Sequence, residues 1–293
     1  MQRSEEGANT MRWRGERQSS NIEDRRGIGV GRVAVGGGLG TIVIMVLALL
    51  FGVDPQRLLE QVPSTEQPPA TQSSRPQNPE EEELKQFVAV VLGKTEDVWS
   101  DVFRQQGRQY REPTLVLFTD QVRSACGIAG AAVGPFYCPG DEKVYIDLAF
   151  YEELRRQFNA PGDFAQAYVV AHEVGHHVQK LLGITQRVDA MSARTNEAEA
   201  NQLSVRLELQ ADFFAGVFAR YVQKQNLLEA GDVEEALRAA SAVGDDQIQR
   251  RTTGTVVPDS FTHGTSEQRL RWFKRGYDTG DIRQGDTFNA TDL

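Results

Sequence analysis

Three of the four histidines in this 293-residue chain lie within six consecutive positions, in the segment AHEVGHHVQ. His172 and His176 are four residues apart, which places both imidazoles on one face of a helix, where they can bind the same metal ion. Glu173 follows the first histidine directly and can reach a water molecule beside that ion. In such sites zinc lowers the pKa of water towards ~7 while the glutamate takes its proton. The motif predicts metal-assisted hydrolysis, but it is short enough to arise by chance.

A second segment, RLELQADFFAGV, supplies further ligands. Catalytic zinc usually takes three protein ligands and keeps one position open. Glu208 and Asp212 are again four residues apart, and no Lys or Arg follows four residues after either of them, so we expect them to face a cation. We predict one zinc ion with Glu208 as its third ligand, and Asp212 as the acceptor for the second ring N–H of a ligand histidine. Glu197 and Glu199, in a more polar stretch, are the competing ligands.

The two helices must approach closely for this site to form. Gly175 costs about 1 kcal/mol relative to Ala inside a helix, which predicts a close-packed neighbour or substrate at that position. His177 lies roughly 100° around the helix from His176 and cannot easily share its metal, so we predict a surface or packing role. The second helix carries three small residues that would allow close contact: Ser204, Ala211 and Ala215.

The charge distribution indicates a membrane protein that does not bind nucleic acid. The net charge is −9, and phosphate contacts need clustered Lys and Arg. Several arginines precede an uncharged apolar stretch at residues 33–53, close to the ~20 residues that cross a bilayer as a helix. We predict a transmembrane helix over residues 28–53, with a cytoplasmic N-terminus and the rest of the chain outside the cytoplasm. A buried core helix or a cleaved signal peptide is the alternative.

The predicted membrane span separates an N-terminal head from a linker, a folded domain and a tail. Residues 1–27 are polar and basic and read as a disordered cytoplasmic head. Residues 54–80 are rich in Pro, Gln and Ser and predict a flexible linker. The folded domain is expected over residues 81–280, followed by a polar tail at 281–293. The sequence does not predict the oligomeric state.

The order of apolar patterns within the domain favours an α+β fold with a small, mostly antiparallel sheet. TLVLFTD predicts a strand, and GPFYC followed by PGDE and KVYIDLAF predicts a hairpin. Asp163 is placed to cap the HExxH helix, which we expect to end at Gly183. Cys126 and Cys138 form an even, closely spaced pair and predict a disulfide in an oxidising compartment, the alternative being two buried thiols.

Several blocks together resemble a known family. HEVGH followed by E-x-x-x-D is similar to the gluzincin group of zinc metallopeptidases, which includes thermolysin. SACGIA, GPFYCPGDEKVYID, RLELQADFFAGV and HGTSEQRLRWFKRGYDTGD, with the HExxH block, resemble the putative neutral zinc metallopeptidase family of bacterial membrane proteins. The resemblance implies a zincin-like fold and a location in the bacterial inner membrane. Phe213 departs from the family pattern, in which a Cys follows the aspartate.

The resemblance also implies how a substrate is held. In zincin-like folds an edge strand pairs with extended peptide, and KVYID, with Val144, Tyr145 and Ile146, is our candidate. By analogy with thermolysin-like enzymes, His263 donates a hydrogen bond to the tetrahedral oxyanion, although capping or packing explains it equally well. The sequence does not select among three tyrosines that could also donate there: Tyr145, Tyr168 and Tyr221.

These observations lead to one main hypothesis and one rival. The main hypothesis is a membrane-anchored zinc endopeptidase that cleaves peptide or protein substrates with Glu173 as general base. The rival is a non-catalytic, zinc-containing membrane scaffold or binding protein, whose zinc ion has no open coordination position. A structural zinc site has no need of Glu173 beside its ligands, so the enzyme is favoured.

Overall fold

A four-stranded sheet and a set of long helices build the domain. The computed structural model describes residues 11–27, 78–130, 133–157 and 162–293. Its helices are α1 Pro79–Gln105, α2 Ala149–Gln157, α3 Asp163–Leu181, α4 Ile184–Ser192, α5 Glu197–Lys224, α6 Asp232–Ala242, α7 Asp245–Thr252 and α8 Ser266–Thr279. Its strands are β1 Ile22–Asp24, β2 Thr114–Phe118, β3 Gln121–Ser124, β4 Gly127–Gly130, β5 Phe136–Cys138 and β6 Lys143–Asp147.

The sheet has the order β1-β2-β6-β5, and the expectation that it is mostly antiparallel is wrong. β1 pairs with β2 and β2 pairs with β6 in parallel, and only the β5–β6 hairpin is antiparallel. The chain between β2 and β6 forms the separate β3–β4 hairpin and then β5, so β6 returns in the direction of β2. Local patterns predicted the hairpin but could not report the direction of these distant pairings.

The strand KVYID does not lie at the edge of the sheet. β6 is hydrogen-bonded to β2 on one side and to β5 on the other. Val144, Tyr145 and Ile146 are accordingly buried, as expected of an interior strand. The proposed role of these three residues in pairing with substrate is therefore a wrong prediction, and β5 is the outer strand on that side of the described sheet.

The N-terminal segment is folded over residues 11–27, in contrast to the predicted disordered head. β1 pairs with β2 in the register Ile22 to Leu115, and Met11 and Trp13 are buried. Arg17 donates hydrogen bonds from its guanidinium to the carboxylate of Glu96 on α1, at 2.9 Å. The segment thus folds with the residues that follow Pro76.

The predicted transmembrane helix, residues 28–53, lies outside the described residues. Among the residues that the structure describes, no helix has both the length and the apolar character to cross a bilayer. The longest ones, α1 and α5, carry charged residues along their length. The predictions of a preceding transmembrane helix and of a single-pass placement in the inner membrane are therefore wrong.

The domain also extends beyond its predicted C-terminal boundary. The side chain of Gln210 donates a hydrogen bond to the carbonyl of Gly285 at 2.8 Å, and Arg206 donates to the carbonyl of Ala290 at 3.1 Å. Thr287 is fully buried. The tail at 281–293 consequently packs on α5 and is part of the folded unit.

Close helix contacts bring the chemically important side chains together. A Cβ atom added to Gly175 on α3 would lie 3.1 Å from the carbonyl oxygen of Ala211 on α5, so the predicted close neighbour is α5. A Cβ added to Gly276 on α8 would lie 2.0 Å from the carbonyl oxygen of Phe213. Helices α3 and α8 therefore both press against α5. A disulfide joins Cys126, in the β3–β4 turn, to Cys138 at the end of β5.

Candidate metal centre

The predicted ligands meet where α3 faces α5. The Nε2 atom of His172 lies 3.1 Å from Oε2 of Glu208, and the Nε2 atom of His176 lies 3.4 Å from Oε1 of Glu208. One ligand atom from each of the three residues lies within 4.8 Å of the others. Two ligands at 2.0–2.1 Å from a tetrahedral zinc ion are roughly 3.3 Å apart, close to each of the two distances between a histidine nitrogen and an oxygen of Glu208.

The second nitrogen of each imidazole has a fixed role. His172 donates through Nδ1–H to Oδ1 of Asp212 at 2.9 Å, since a carboxylate only accepts. His176 donates through Nδ1–H to the side-chain oxygen of Gln179 at 2.9 Å. The amide nitrogen of Gln179 is committed to the carbonyl of Leu207 at 2.6 Å, which fixes the orientation of that amide. Both Nε2 atoms are thereby left as the metal-binding atoms.

The electrostatics of the site call for a cation between these groups. Burial alone would lower the pKa of His172, but the carboxylates of Asp212 and Glu208 outweigh it and raise that pKa to about 10. Burial would raise the pKa of Glu208, but the two histidines hold it well below its usual value. A proton or a metal ion must therefore sit beside Glu208, and two imidazole nitrogens with one carboxylate oxygen match the donor set of catalytic zinc.

Arg269 of α8 completes the surroundings of Asp212 and was missed by the sequence argument. Its guanidinium donates to both Asp212 oxygens, at 2.8 and 3.0 Å, and the hydroxyl of Tyr168 donates to Oδ1 at 2.5 Å. Asp212 is fully buried, and Arg269 is 3 % exposed. The cation that Asp212 needs is thus an arginine 57 residues away. One pattern in the sequence indicates that Arg269 faces the core. Trp272 and Phe273 follow it by three and four residues and are buried on the same face of the helix.

A cavity of about 700 Å³ opens beside the three ligands. It is lined by α3, by the β5 strand and by the chain before α8, with Phe136, Tyr137 and His263 among the lining residues. Glu173 also lines it and is 8 % exposed. Its carboxylate makes no hydrogen bond or ion pair with any residue that the structure describes. This side chain is free to accept a proton from water in the cavity.

The family comparison agrees with this geometry. The family model described as "Putative neutral zinc metallopeptidase" matches residues 11–288. This chain belongs to that family. The match begins at residue 11, so the N-terminal segment that supplies β1 is part of what the family shares.

Proteins from several bacteria match most of the chain. The uncharacterized protein YpfJ of Escherichia coli (strain K12) is 49% identical over 290 residues, which are 96% of this chain and 100% of the relative. The uncharacterized proteins Mb2605 of Mycobacterium bovis and Rv2575 of Mycobacterium tuberculosis are each 42% identical over 258 residues, 84% of this chain and 86% of each relative. No solved structure matches this chain.

The departure from the family pattern at position 213 leaves the ligands untouched. Phe213 is fully buried and packs its ring against Trp272, with ring centroids 6.3 Å apart. Glu208 and Asp212 keep the contacts described above. Glu197 and Glu199 lie exposed in the first turn of α5, apart from the ligand cluster.

His263 lines the cavity, and Asp245 orients its side chain. Asp245 accepts hydrogen bonds from the backbone N–H groups of Thr262 and His263, at 2.8 and 2.6 Å. It also lies 3.3 Å from Nδ1 of His263, and this contact raises the pKa of the imidazole. The Nε2 atom makes no hydrogen bond to a described residue, so it is free to donate to a bound group. No short sequence pattern indicates Asp245, which lies 18 residues from His263.

His177 holds the outer strand against the active helix. Its Nε2–H donates to the carbonyl of Arg111 at 2.6 Å, so Nδ1 accepts from the hydroxyl of Tyr137 on β5, at 3.0 Å. The imidazole is fully buried, and this burial lowers its pKa. His177 thus has a packing role.

The three tyrosines considered as oxyanion donors are committed elsewhere. Tyr145 donates to Asp141 at 2.7 Å, and Tyr221 lies 3.5 Å from Asp101. Tyr168 lines the cavity, but its hydroxyl donates to Asp212. His263 is the remaining candidate of those named from the sequence.

Proposed function

We propose that this protein is a zinc-dependent peptidase that hydrolyses peptide bonds with water, with Glu173 as the general base. The observation that carries the proposal is the convergence of two histidine nitrogens on the Glu208 carboxylate, combined with an unpartnered carboxylate, that of Glu173, lining the same cavity. A structural zinc site would be closed by a fourth protein ligand and would need neither the cavity nor Glu173.

Zinc held by His172, His176 and Glu208 would supply Lewis acidity, which polarises a carbonyl group and lowers the pKa of water. Glu173 accepts the proton of the attacking water and passes it to the nitrogen of the leaving amine. His263, oriented by Asp245, donates a hydrogen bond to the oxygen that becomes negative in the tetrahedral intermediate.

The remaining buried groups keep the ligands in place rather than reacting. Asp212 holds the tautomer of His172, and Arg269 neutralises Asp212 without touching the cavity-side nitrogen of the imidazole. Gln179 holds the tautomer of His176 in the way that Asp212 holds that of His172, but it carries no charge. Ligands held in this way need no rearrangement when the substrate arrives.

We propose β5 as the strand that binds the substrate. It is paired with β6 on one side only, and Phe136 and Tyr137 line the cavity together with the preceding Gly134 and Pro135. An extended peptide can add to such an edge by backbone hydrogen bonding, which tolerates many side chains. This arrangement supports cleavage within a chain rather than at its terminus.

The experiment compares Glu173→Gln with Glu153→Gln, a second glutamate that lines the same cavity. The substrate is an unfolded protein, and the zinc content of each variant is measured. We expect hydrolysis by Glu173→Gln to fall about 10²–10⁴-fold, the usual contribution of general acid–base catalysis, with one zinc per chain retained. Glu153→Gln should keep most of the activity.

Either of two results would reject the proposal. Unchanged hydrolysis by Glu173→Gln would show that another group takes the proton. A wild-type protein that holds one zinc per chain and cleaves none of a broad set of unfolded proteins and peptides would favour the rival, non-catalytic role.

A further inference from the structure

A second cluster of acidic side chains lies at the N-terminal end of α3. Asp163 is the first residue of α3, Asp232 is the first residue of α6, and Glu235 is one turn further along α6. One carboxylate oxygen from each residue lies within 4.8 Å of the other two. These residues are separate from the ligands of the candidate zinc site, and no sequence motif pointed to them.

Each of the three carboxylates has one oxygen without a partner. Asp163 Oδ2, Asp232 Oδ1 and Glu235 Oε2 are all buried and accept no hydrogen bond. Asp232 as a whole is fully buried. Among the described residues, no Lys, Arg or His forms an ion pair with any of the three. Arg238 faces Glu235 and lowers its pKa, but it forms no ion pair with the cluster. Burying charged oxygens without a compensating group is costly, so a bound cation would stabilise the cluster.

The other oxygens are already used by the backbone. Asp163 Oδ1 accepts from the N–H of Met11 at 3.1 Å, and Asp232 Oδ2 accepts from the N–H of Glu229 at 2.8 Å. These two hydrogen bonds hold the carboxylates of Asp163 and Asp232 in place. The N-terminal ends of two helices add partial positive charge but leave the three oxygens without donors.

The backbone is shaped to allow this approach. A Cβ atom added to Gly162 would lie 1.5 Å from Glu235 Oε2. The carboxylate of Glu235 thus occupies the space that the Cβ atom of any residue other than glycine would need. Burial raises the pKa of Glu235 to about 7, with Asp163 and Asp232 adding to the effect, and burial raises the pKa of Asp163 to about 6. At neutral pH the cluster must therefore hold either protons or a cation.

We propose that Asp163, Asp232 and Glu235 bind a hard divalent cation, for which calcium is the best fit. The donors are all oxygens, which calcium and magnesium prefer and which soft or nitrogen-preferring metals do not. Calcium takes six to eight oxygen ligands in flexible geometry, whereas magnesium demands near-ideal octahedral geometry and is usually held by only one or two carboxylates. Three carboxylates gathered from two helices therefore suit calcium better.

Such an ion would fasten three parts of the chain to one another. Asp163 carries the hydrogen bond from the Met11 N–H, so the N-terminal segment, the start of α3 and the start of α6 would meet at the ion. The zinc ligand His172 lies nine residues along α3 from Asp163. The cation site is therefore structural and independent of the proposed peptidase activity.

The test titrates calcium chloride into the zinc-saturated full chain, by calorimetry and by thermal unfolding. We expect one calcium per chain and, at a concentration 100-fold above Kd, a rise in Tm of about 5–10 °C. Magnesium chloride should bind more weakly. Zinc saturation keeps Glu208 occupied, so that calcium is not measured at the wrong site.

Three variants assign the binding to the cluster. Asp232→Asn and Glu235→Gln should abolish the response to calcium and should be at least as stable as the wild type without calcium, because the repulsion is reduced. Glu235→Gln leaves the Glu229 hydrogen bond to Asp232 intact. Glu234→Gln, at an exposed position of α6, should respond as the wild type does.

The proposal is overturned if calcium neither binds to the wild type nor raises its Tm. It is also overturned if Glu235→Gln and Asp232→Asn bind calcium as the wild type does. A lack of peptidase activity would not affect either measurement, so failure of the proposed function and failure of this proposal are distinguishable.

Discussion

The protein holds two groups of buried carboxylates, and their surroundings differ. At the zinc ligands, Asp212 accepts four hydrogen bonds and faces the guanidinium of Arg269. In the acidic cluster, Asp163 at the start of α3 and Asp232 at the start of α6 each leave one buried oxygen without a partner. Asp212 in the first group is neutralised by an ion pair with Arg269, whereas none of the three carboxylates of the second group forms an ion pair with a described residue.

This difference shows what each group is suited for. At the zinc ligands Glu208 and Glu173 are left for a metal or for water, because Asp212 is fully committed. The buried charge there positions an imidazole. In the acidic cluster no imidazole is present, and the free oxygens themselves are the candidate ligands. The count of acidic residues is similar, but their hydrogen-bond partners decide the chemistry.

Removing the positive partner at the zinc site should have the largest effect on stability. Arg269→Met leaves Asp212 buried without its guanidinium, and breaking a buried ion pair costs about 3–5 kcal/mol of unfolding free energy. Urea unfolding of the zinc-loaded protein measures this. Arg271→Met, an exposed position of the same helix, should change stability by about 1 kcal/mol or less. Equal effects of the two substitutions would contradict the assigned role of Arg269.

A smaller effect is expected when a neutral partner of a ligand is removed. Gln179→Met deletes the acceptor of His176 Nδ1–H, and loss of such partners typically weakens metal binding about 10–100-fold. We expect a value near the lower end, because no charge is lost. Competition with a zinc chelator measures the affinity, with Gln166→Met on the same helix as the control. Unaltered affinity in Gln179→Met would mean that this hydrogen bond does not support the ligand.

The smallest expected effect is a pH dependence at the acidic cluster without calcium. The carboxyls of Asp163 and Glu235 have pKa values near 4 when unfolded, and burial raises them to about 6 and about 7 in the folded chain. Between these values the folded state holds more protons, so stability is present at low pH and is lost as pH rises. The groups that face Glu235 are Asp163, Asp232 and Arg238.

Comparison of variants isolates this effect from that of zinc. The stability of Glu235→Gln relative to the wild type should increase between pH 5 and pH 7.5 in calcium-free urea unfolding. Calcium should abolish the difference by stabilising the wild type. A relative stability that stays constant over this pH range would show that Glu235 does not titrate there.

Local spacing predicted much of the site because its ligands share helix faces. His172 and His176, like Glu208 and Asp212, are one turn apart, and such pairs are visible in a single sequence. Gly175 indicated the close contact between the two helices. Arg269 and Asp245 were missed because each reaches the site through folding of a distant segment, and no short pattern records that contact.

The fold was predictable to the same limited extent. The β5–β6 hairpin was read from its turn and its alternating residues, but the parallel pairing of β1 with β2 joins residues more than 90 positions apart. The basic N-terminal segment looked disordered by composition. Its arginines in fact pair with acidic residues of the folded domain, as Arg17 does with Glu96 and Asp97. Asp163 was read as a helix cap, although Gly162 is the capping residue.

The central claim is that His172, His176 and Glu208 hold one zinc ion with a coordination position open to the cavity. The most direct test is a crystal structure of the zinc-loaded Glu173→Gln protein with anomalous data at the zinc absorption edge. We predict a single strong peak bonded to these three side chains, with no fourth protein ligand. A peak elsewhere, or a zinc ion closed by four protein ligands, would contradict the account.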